Sequence, residues 1–257
     1  MTPASGGPPA ADPLRVVIAG PWNRSPDSAL HRRAAAHLAH RGVSVTYLAT
    51  SRPDPREPGD ERFDREAWPT AGCSTVRDLV WVLGRFRTLR PAVVHARLAS
   101  AVPSMVAAAL TRVPERVVGY TAPVTGPDVA ARVSADVAAR VAADGPARDP
   151  DGTAAAGAVA PWRVQVALRR ATRHWASSDE HAAAVRHCYG LGSRPVEVHG
   201  PAAVEPVAGE AWDATLDRRA AALASDLLAC AHRIPGGPPG DDVAHGATSW
   251  PADRGGR

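Results

Sequence analysis

Residues 14–49 read LRVVIAGPWNRSPDSALHRRAAAHLAHRGVSVTYLA, and this stretch decides the fold. Leu14 to Ala19 is a short run, apolar but for Arg15, that stops at Gly20-Pro21. A strand buried on both faces, as in a parallel sheet, has this pattern. Trp22 to Asp27 is polar and reads as a loop. From Ser28 to Arg41 the spacing predicts a helix, with Leu30, Ala34 and Leu38 four residues apart and Arg32, Arg33 and His37 mostly on the other side. Gly42 stands where a glycine closes a helix. Val43 to Ala49 is rich in β-branched residues and predicts a second strand. A strand, a helix and a strand within about 35 residues open a doubly wound sheet.

The alternation continues outward from there. Arg52 to Gly72 is a charged, Pro-containing loop. Thr75 to Leu89 is an amphipathic helix with Val76, Leu79, Val80, Leu83 and Phe86 on one face. Ala92 to Ala96 and Arg116 to Tyr120 read as strands on either side of an Ala- and Val-rich helix, Ser100 to Thr111. Val129, Val133, Val137 and Val141 suggest a further helix, and Asp144 to Gly157 a loop rich in Pro, Gly and Asp. Trp162 to His174 predicts a helix, Trp175 to Ser177 a short strand, and Ser178 to Tyr189 a helix started by the S-x-x-E spacing of Ser177 and Glu180. Val196 to His199 is a last strand, and Ala211 to His232 one long Ala/Leu helix. The expected class is α/β: a Rossmann-like, mostly parallel sheet flanked by helices and joined by right-handed crossovers. Residues 14–201 form that domain and 202–233 a helical extension. Residues 1–13 and 234–257 are expected to be disordered.

Composition narrows the classes. The chain has 257 residues, 45% hydrophobic but only 5% aromatic, so the core is built from small side chains. No run approaches the ~18 apolar residues of a membrane span, and Met1 to Pro13 lack the features of a secretory signal. Cys73, Cys188 and Cys230 are scattered, with no C-x-x-C, and read as small apolar fillers rather than a disulfide or zinc framework. All thirty basic residues are arginine, and the net charge is only +4. Such a balance permits an anionic partner without requiring one. No nucleic-acid-binding signature accompanies it.

Open α/β sheets bind ligands at the carboxyl ends of their strands, near helix N-termini. The loop after the first strand, Gly20-Pro21-Trp22-Asn23-Arg24-Ser25, lacks G-x-G-x-x-G, and a chain without lysine cannot build a P-loop. The glycine-rich start of a methyltransferase is absent too.

Several passages together resemble the N-terminal domain of family 4 glycosyltransferases, which have the two-lobed GT-B fold. Residues 33–45, RAAAHLAHRGVSV, are similar to the family's "L-A-x-x-G-H-x-V", with Val43 in place of histidine. Pro91-Ala92-Val93-Val94-His95-Ala96 is similar to "P-D-V-V-H-A", with Ala92 for aspartate. Arg170 to Gly190 resembles the passage "R-x-A-D-x-x-x-x-x-S", and Val196 to Gly200 stands in the place of "V-I-P-N-G", with His199 for asparagine. The resemblance spans roughly Leu14 to Pro201.

What the resemblance implies is an acceptor-side, GT-B-type N-terminal lobe for transfer of a sugar from a nucleotide-diphosphate donor, with that sugar nucleotide as substrate and no metal motif. The sugar acceptor is the expected partner, together with a separate donor-binding lobe of on the order of 150 residues. Glu197 and Glu205 match the family's E-x7-E spacing, but outside a donor lobe the match reads as coincidence. Many relatives carry a histidine where this chain has Tyr120-Thr121-Ala122, which also leaves open a non-catalytic sugar- or partner-binding module.

The candidate binding residues are Gly20, Asn23, His95, Thr121 and Ser178. Each also has a structural reading. Gly20 gives a strand-to-helix turn, Asn23 is a solvated loop residue, His95 is a hydrogen-bonded core histidine, and serines beside helix starts are caps. Arg163, Arg169, Arg170 and Arg173 stud one predicted helix between Trp162 and Trp175. Either this is a solvated face or it lies on an anionic membrane. The expected location is cytoplasmic, with contact at the inner face of the membrane.

Overall fold

The computed structural model describes residues 13–23, 26–50, 62–70, 75–120, 162–176, 178–198 and 212–234. The strands are β1 (Arg15–Gly20), β2 (Ser44–Ala49), β3 (Asp64–Ala67), β4 (Val93–Arg97), β5 (Glu115–Gly119), β6 (Arg173–Ala176) and β7 (Glu197–Val198). The helices are α1 (Pro26–His40), α2 (Val76–Leu89), α3 (Ala101–Leu110), α4 (Trp162–Arg170), α5 (Asp179–Tyr189) and α6 (Trp212–His232). One parallel sheet of seven strands runs β3-β2-β1-β4-β5-β6-β7. The chain walks outward from β1 to β3, returns to the other side of β1, and walks outward again. This is the expected Rossmann-like α/β class, with its order reversing between β1 and β4.

The inner strands bury both faces, and alternate residues enter two separate cores. Val16 and Ile18 of β1 join Val45, Tyr47, Val93, Val117 and Trp175 beneath α1 and α6. Val17 and Ala19 join Leu48, Val94, Ala96 and Val118 beneath α2, α3, α4 and α5. Right-handed crossovers explain the division, because a change of direction at β1 sends α1 to one face and α2 through α5 to the other. The first face would then lie bare over β4 to β6. There α6 packs, placing Leu216, Ala220, Leu223, Ala224 and Leu227 in the same core as α1.

The α1–α6 seam is closed by polar pairs. Arg33 donates to the Asp213 carboxylate and carbonyl, both at 2.7 Å, His37 lies 3.0 Å from Asp217, and Arg41 donates to Ser225 at 2.9 Å. Arg33 and His37, expected on the solvent side of their helix, thus form its border with α6.

Further expectations change in detail. On α2, Val76 and Val80, expected on the apolar face, are exposed, while Val82 and Phe86 are buried. The Arg52 to Gly72 segment, expected to be loop, contains β3. Its sequence Asp64-Arg65-Glu66-Ala67 has no apolar run, because an edge strand needs only backbone pairing with β2. The helix predicted to His174 stops at Arg170, and β6 begins at Arg173. This strand start is polar because Arg173 is held by Glu115 at 3.2 Å and Glu197 at 2.9 Å. Arg173 therefore does not belong to the basic helix. The last strand is only Glu197–Val198. Finally, α5 is capped by Ser178, whose hydroxyl accepts from the His181 N–H at 3.1 Å. Ser177 lies outside the described residues, as do the helix expected around Val129–Val141, the loop at 144–157, and both expected disordered ends up to residue 12 and from residue 235.

α2 starts with a reciprocal cap absent from the sequence reading. The Thr75 hydroxyl accepts from the Asp78 N–H, and the buried Asp78 carboxyl accepts from the Thr75 N–H at 3.0 Å and the Thr70 N–H at 3.2 Å. Cys230 is buried and unbridged, and burial pushes its thiol up from the ordinary value. Among the described residues, no helix is long and apolar enough to cross a membrane.

Candidate functional site

The order reversal puts a crevice at the carboxyl ends of β1 and β4, where this class of sheet holds its ligands. Gly20 is the last residue of β1, and Arg97 the last of β4. A β-carbon built on Gly20 would lie 3.3 Å from the Tyr47 hydroxyl and 3.5 Å from Cδ of Arg97. The Arg97 side chain thus lies across the tip of β1, and the Tyr47 hydroxyl of β2 crowds the other flank, where glycine leaves it room.

Hydrogen bonds hold the rim. The Tyr47 hydroxyl donates to the Pro21 carbonyl at 3.0 Å, and Ser28 donates to the same carbonyl at 2.7 Å. Ser28 also accepts from the Asn23 N–H at 3.1 Å, so the β1–α1 loop is tied to the first turn of the helix. Asn23 itself is exposed at the rim. On the β4 side, the Ser100 hydroxyl donates to the Ala19 carbonyl at 2.8 Å and the Arg97 carbonyl at 2.9 Å, joining the two strand ends.

The field at this edge is positive. The guanidiniums of Arg32 and Arg65 lie over the Trp22 ring at 5.1 and 4.7 Å, and Trp22 meets Tyr47 edge-on at 5.0 Å. Burial pushes the Tyr47 phenol up to about 12, opposed by the charge of Arg97, the hydrogen bond with Ser28 and the charge of Arg32. Tyr47 is thus a neutral hydroxyl beside positive groups. Such a crevice suits an anionic or hydroxyl-rich ligand.

His95 lies one layer below. It faces the α1 side, 2% exposed, stacked on His31 at 5.1 Å and 5.8 Å from Trp175. Its Nδ1 is buried with no hydrogen-bond partner among the described residues. Burial, reinforced by the charges of His31 and Arg97, holds its pKa well below the ordinary value. A ring kept neutral and covered on these sides supports the floor of the crevice.

Ser178 follows β6, three strand spacings from β1, or roughly 14 Å. Its hydroxyl is engaged as the α5 cap. Thr121 lies outside the described residues. The structure therefore brings Gly20 and Asn23 together, sets His95 beneath them and holds Ser178 apart.

Two features escape the sequence reading. Arg97 directly follows the quoted strand Pro91–Ala96, and its position at the end of a central strand is the signal that could have found it. The other is a buried polar cluster. The Tyr120 hydroxyl is 2.9 Å from His174 Nδ1, with His181 edge-on to Tyr120 at 6.5 Å and Tyr189 at 5.7 Å. No local spacing signals it, since the four residues come from the residue after β5, from β6 and from the two ends of α5.

No protein-family model and no curated protein matches the chain. Solved structures similar to it include UGT71G1 of Medicago truncatula in complex with UDP-glucose, at 8% identity and TM-score 0.42 over 78% of this chain. Another is a UDP-glucosyltransferase from Polygonum tinctorium capable of glucosylating indoxyl, at 15% identity and TM-score 0.42 over 77% of this chain. The chain spans about half of each, 55% and 53% respectively.

Proposed function

We propose that this protein is the acceptor-side lobe of a GT-B-type glycosyltransferase of family 4 character, working on a nucleotide-diphosphate sugar. The observation that carries this reading is Gly20 at the tip of β1 with Arg97 laid across it, at the point where the strand order reverses. The motif order from Leu14 to Pro201 supports it independently. In this reading the acceptor is a sugar or lipid-linked hydroxyl compound resting against Asn23 and the β1–α1 loop. The acceptor oxygen forms a bond to the anomeric carbon as the bond to the diphosphate breaks. The diphosphate leaves with the electron pair and the acceptor's proton passes to solvent. The protein contributes position and positive potential from Arg97, and a second lobe holds the donor. No resident metal is invoked.

A membrane surface is the proposed second partner. The outer side of α4 exposes Trp162 (69%) and Val166 (38%) beside Arg163, Arg169 and Arg170. An aromatic ring and cations on one face match an interfacial helix at the inner, anionic face of a membrane, with the protein in the cytoplasm.

The alternative, a sugar- or partner-binding module without turnover, is favoured by Tyr120-Thr121 standing where relatives carry a histidine. A turnover assay with a panel of nucleotide-diphosphate sugars, run on the chain alone and with any co-purifying protein, separates the two. Transfer or donor hydrolysis that falls in Arg97→Gln supports the enzyme. Saturable sugar binding without turnover in either condition selects the binding module.

A further inference from the structure

The amino edge of the sheet, opposite the crevice, carries a second concave surface. A cavity of about 670 Å³ opens where the turn from α2 into β4 meets the turn from α3 into β5. Arg87, Arg90 and Arg112 line it, against walls that include Pro91, Val113 and Pro114. Among the described residues, none of these three guanidiniums makes a hydrogen bond or ion pair.

The backbones of Arg90 and Arg112 close their helices, but the three guanidiniums are not engaged with the helix-end carbonyls. Other groups meet several of those carbonyls. Arg15 donates to the Leu89 carbonyl at 2.9 Å, Arg116 donates to the Val113 and Arg170 carbonyls, and the Thr111 hydroxyl donates to the Ala107 carbonyl at 2.8 Å.

The backbone adds a separate observation. Arg90 (φ 47°) and Arg112 (φ 59°) are the two non-glycine residues with positive φ among the described residues, and both line this cavity. The other positive-φ positions are Gly42, Gly190 and Gly192. Both stand where a helix ends and the chain turns left-handed to close it, with the Arg90 N–H donating to the Phe86 carbonyl and the Val113 N–H to the Ala108 carbonyl. Arginine in place of the usual glycine at both ends sets two guanidiniums at the rim of the cavity. Two helix C-termini meet here, each worth about half a negative charge, so three arginines leave a net of about +2. The volume falls within the range of small-molecule sites, and the depression opens to solvent with all three arginines exposed.

We propose that this cavity binds the dianionic phosphate of a phosphate monoester, with the apolar walls covering the organic part. The site lies at the opposite edge from Gly20 and stands whether or not the sugar-transfer reading does. The phosphate could be carried by a soluble metabolite or by a lipid headgroup, and the arms of the test separate these sources.

The test titrates the full chain calorimetrically with phenyl phosphate and with inorganic phosphate. In parallel, it is sedimented with vesicles of phosphatidic acid in phosphatidylcholine and of phosphatidylcholine alone. Saturable binding of phenyl phosphate, several-fold tighter than inorganic phosphate, is expected. Arg90→Gly with Arg112→Gly should weaken it at least tenfold while Tm stays level or rises, because glycine relieves the left-handed strain. Arg87→Gln, on the exposed side of α2, should weaken it at least threefold and serves if the double variant fails to fold. Phosphatidic-acid-dependent sedimentation lost in these variants assigns the phosphate to a lipid, and phenyl phosphate binding without sedimentation assigns it to a soluble ligand. No saturable binding in either arm, or binding unchanged in Arg87→Gln and the double variant, overturns the proposal.

Discussion

Gly119 and His95 occupy a space that holds only one side chain: a β-carbon on Gly119 would lie 2.8 Å from Nε2 of His95. The imidazole has nowhere to go, because His31 stacks on it and Trp175 lies against it. Gly119→Ala should therefore lower stability by about 1–3 kcal/mol, the range for overpacking a filled core. Urea titration checks this. The double variant with His95→Ala should lose less than the sum of the two single losses, since the second change empties the contested space.

Two other glycines should respond in contrasting ways. Gly84, inside α2, has nothing within 4 Å of a built β-carbon. Gly84→Ala is expected to raise stability by about 0.5–1 kcal/mol, the ordinary helix preference. Gly20→Ala adds a tight contact at 3.3 Å to the Tyr47 hydroxyl, which must give by a few tenths of an ångström, and an ordinary contact at 3.5 Å to Arg97. Its stability cost should stay below about 1.5 kcal/mol, while binding at the crevice weakens several-fold. Thermal melts and ligand titrations on both variants read the two effects separately.

α6 should be part of the folding unit rather than an appendage. Leu227, on its inner face, is fully buried. Leu227→Ala should cost about 2–5 kcal/mol, as a deleted core leucine does. Asp217→Ala removes only a half-exposed partner of His37 and should cost less than about 1 kcal/mol. Chemical denaturation of the two variants distinguishes a core helix from one held by surface pairs.

Acid should weaken the fold before the carboxylates titrate. Burial lowers His174 to about 4, aided by the charge of Arg194 and opposed by that of Glu197. The unfolded chain, with an ordinary histidine value near 6.5, takes up a proton that the folded chain refuses. Stability should therefore rise with pH between about 4 and 6.5 and level off above. His174→Gln should flatten that slope by at most one proton, about 1.4 kcal/mol per pH unit. Equilibrium unfolding at a series of pH values measures it.

The parallel sheet could be read from local pattern because strands buried on both faces need mainly apolar residues. Leu14–Ala19 and Val43–Ala49 carry such runs and align nearly as β1 and β2. Edge strands lack this requirement, which is why β3 hid in a charged segment. The opening of β6, an inner strand, passed for helix because Arg173 is satisfied there by Glu115 and Glu197 from the neighbouring strands. Gly20 and Asn23 were legible at the site because a break after an apolar strand marks the carboxyl edge. Arg97 was not, because its importance comes from lying across Gly20, some 77 residues earlier in the chain.

Hydrophobic periodicity is a local property, so the order of strands and helices, and hence the α/β class, was already present in the linear chain. Pairings between distant segments are not written in any window. Only the folded chain laid α6 over the face that right-handed crossovers leave bare, matched His95 with Gly119, and brought Arg90 and Arg112 to one cavity. Each depends on which elements become neighbours, and that is decided when the two faces of the sheet are buried together.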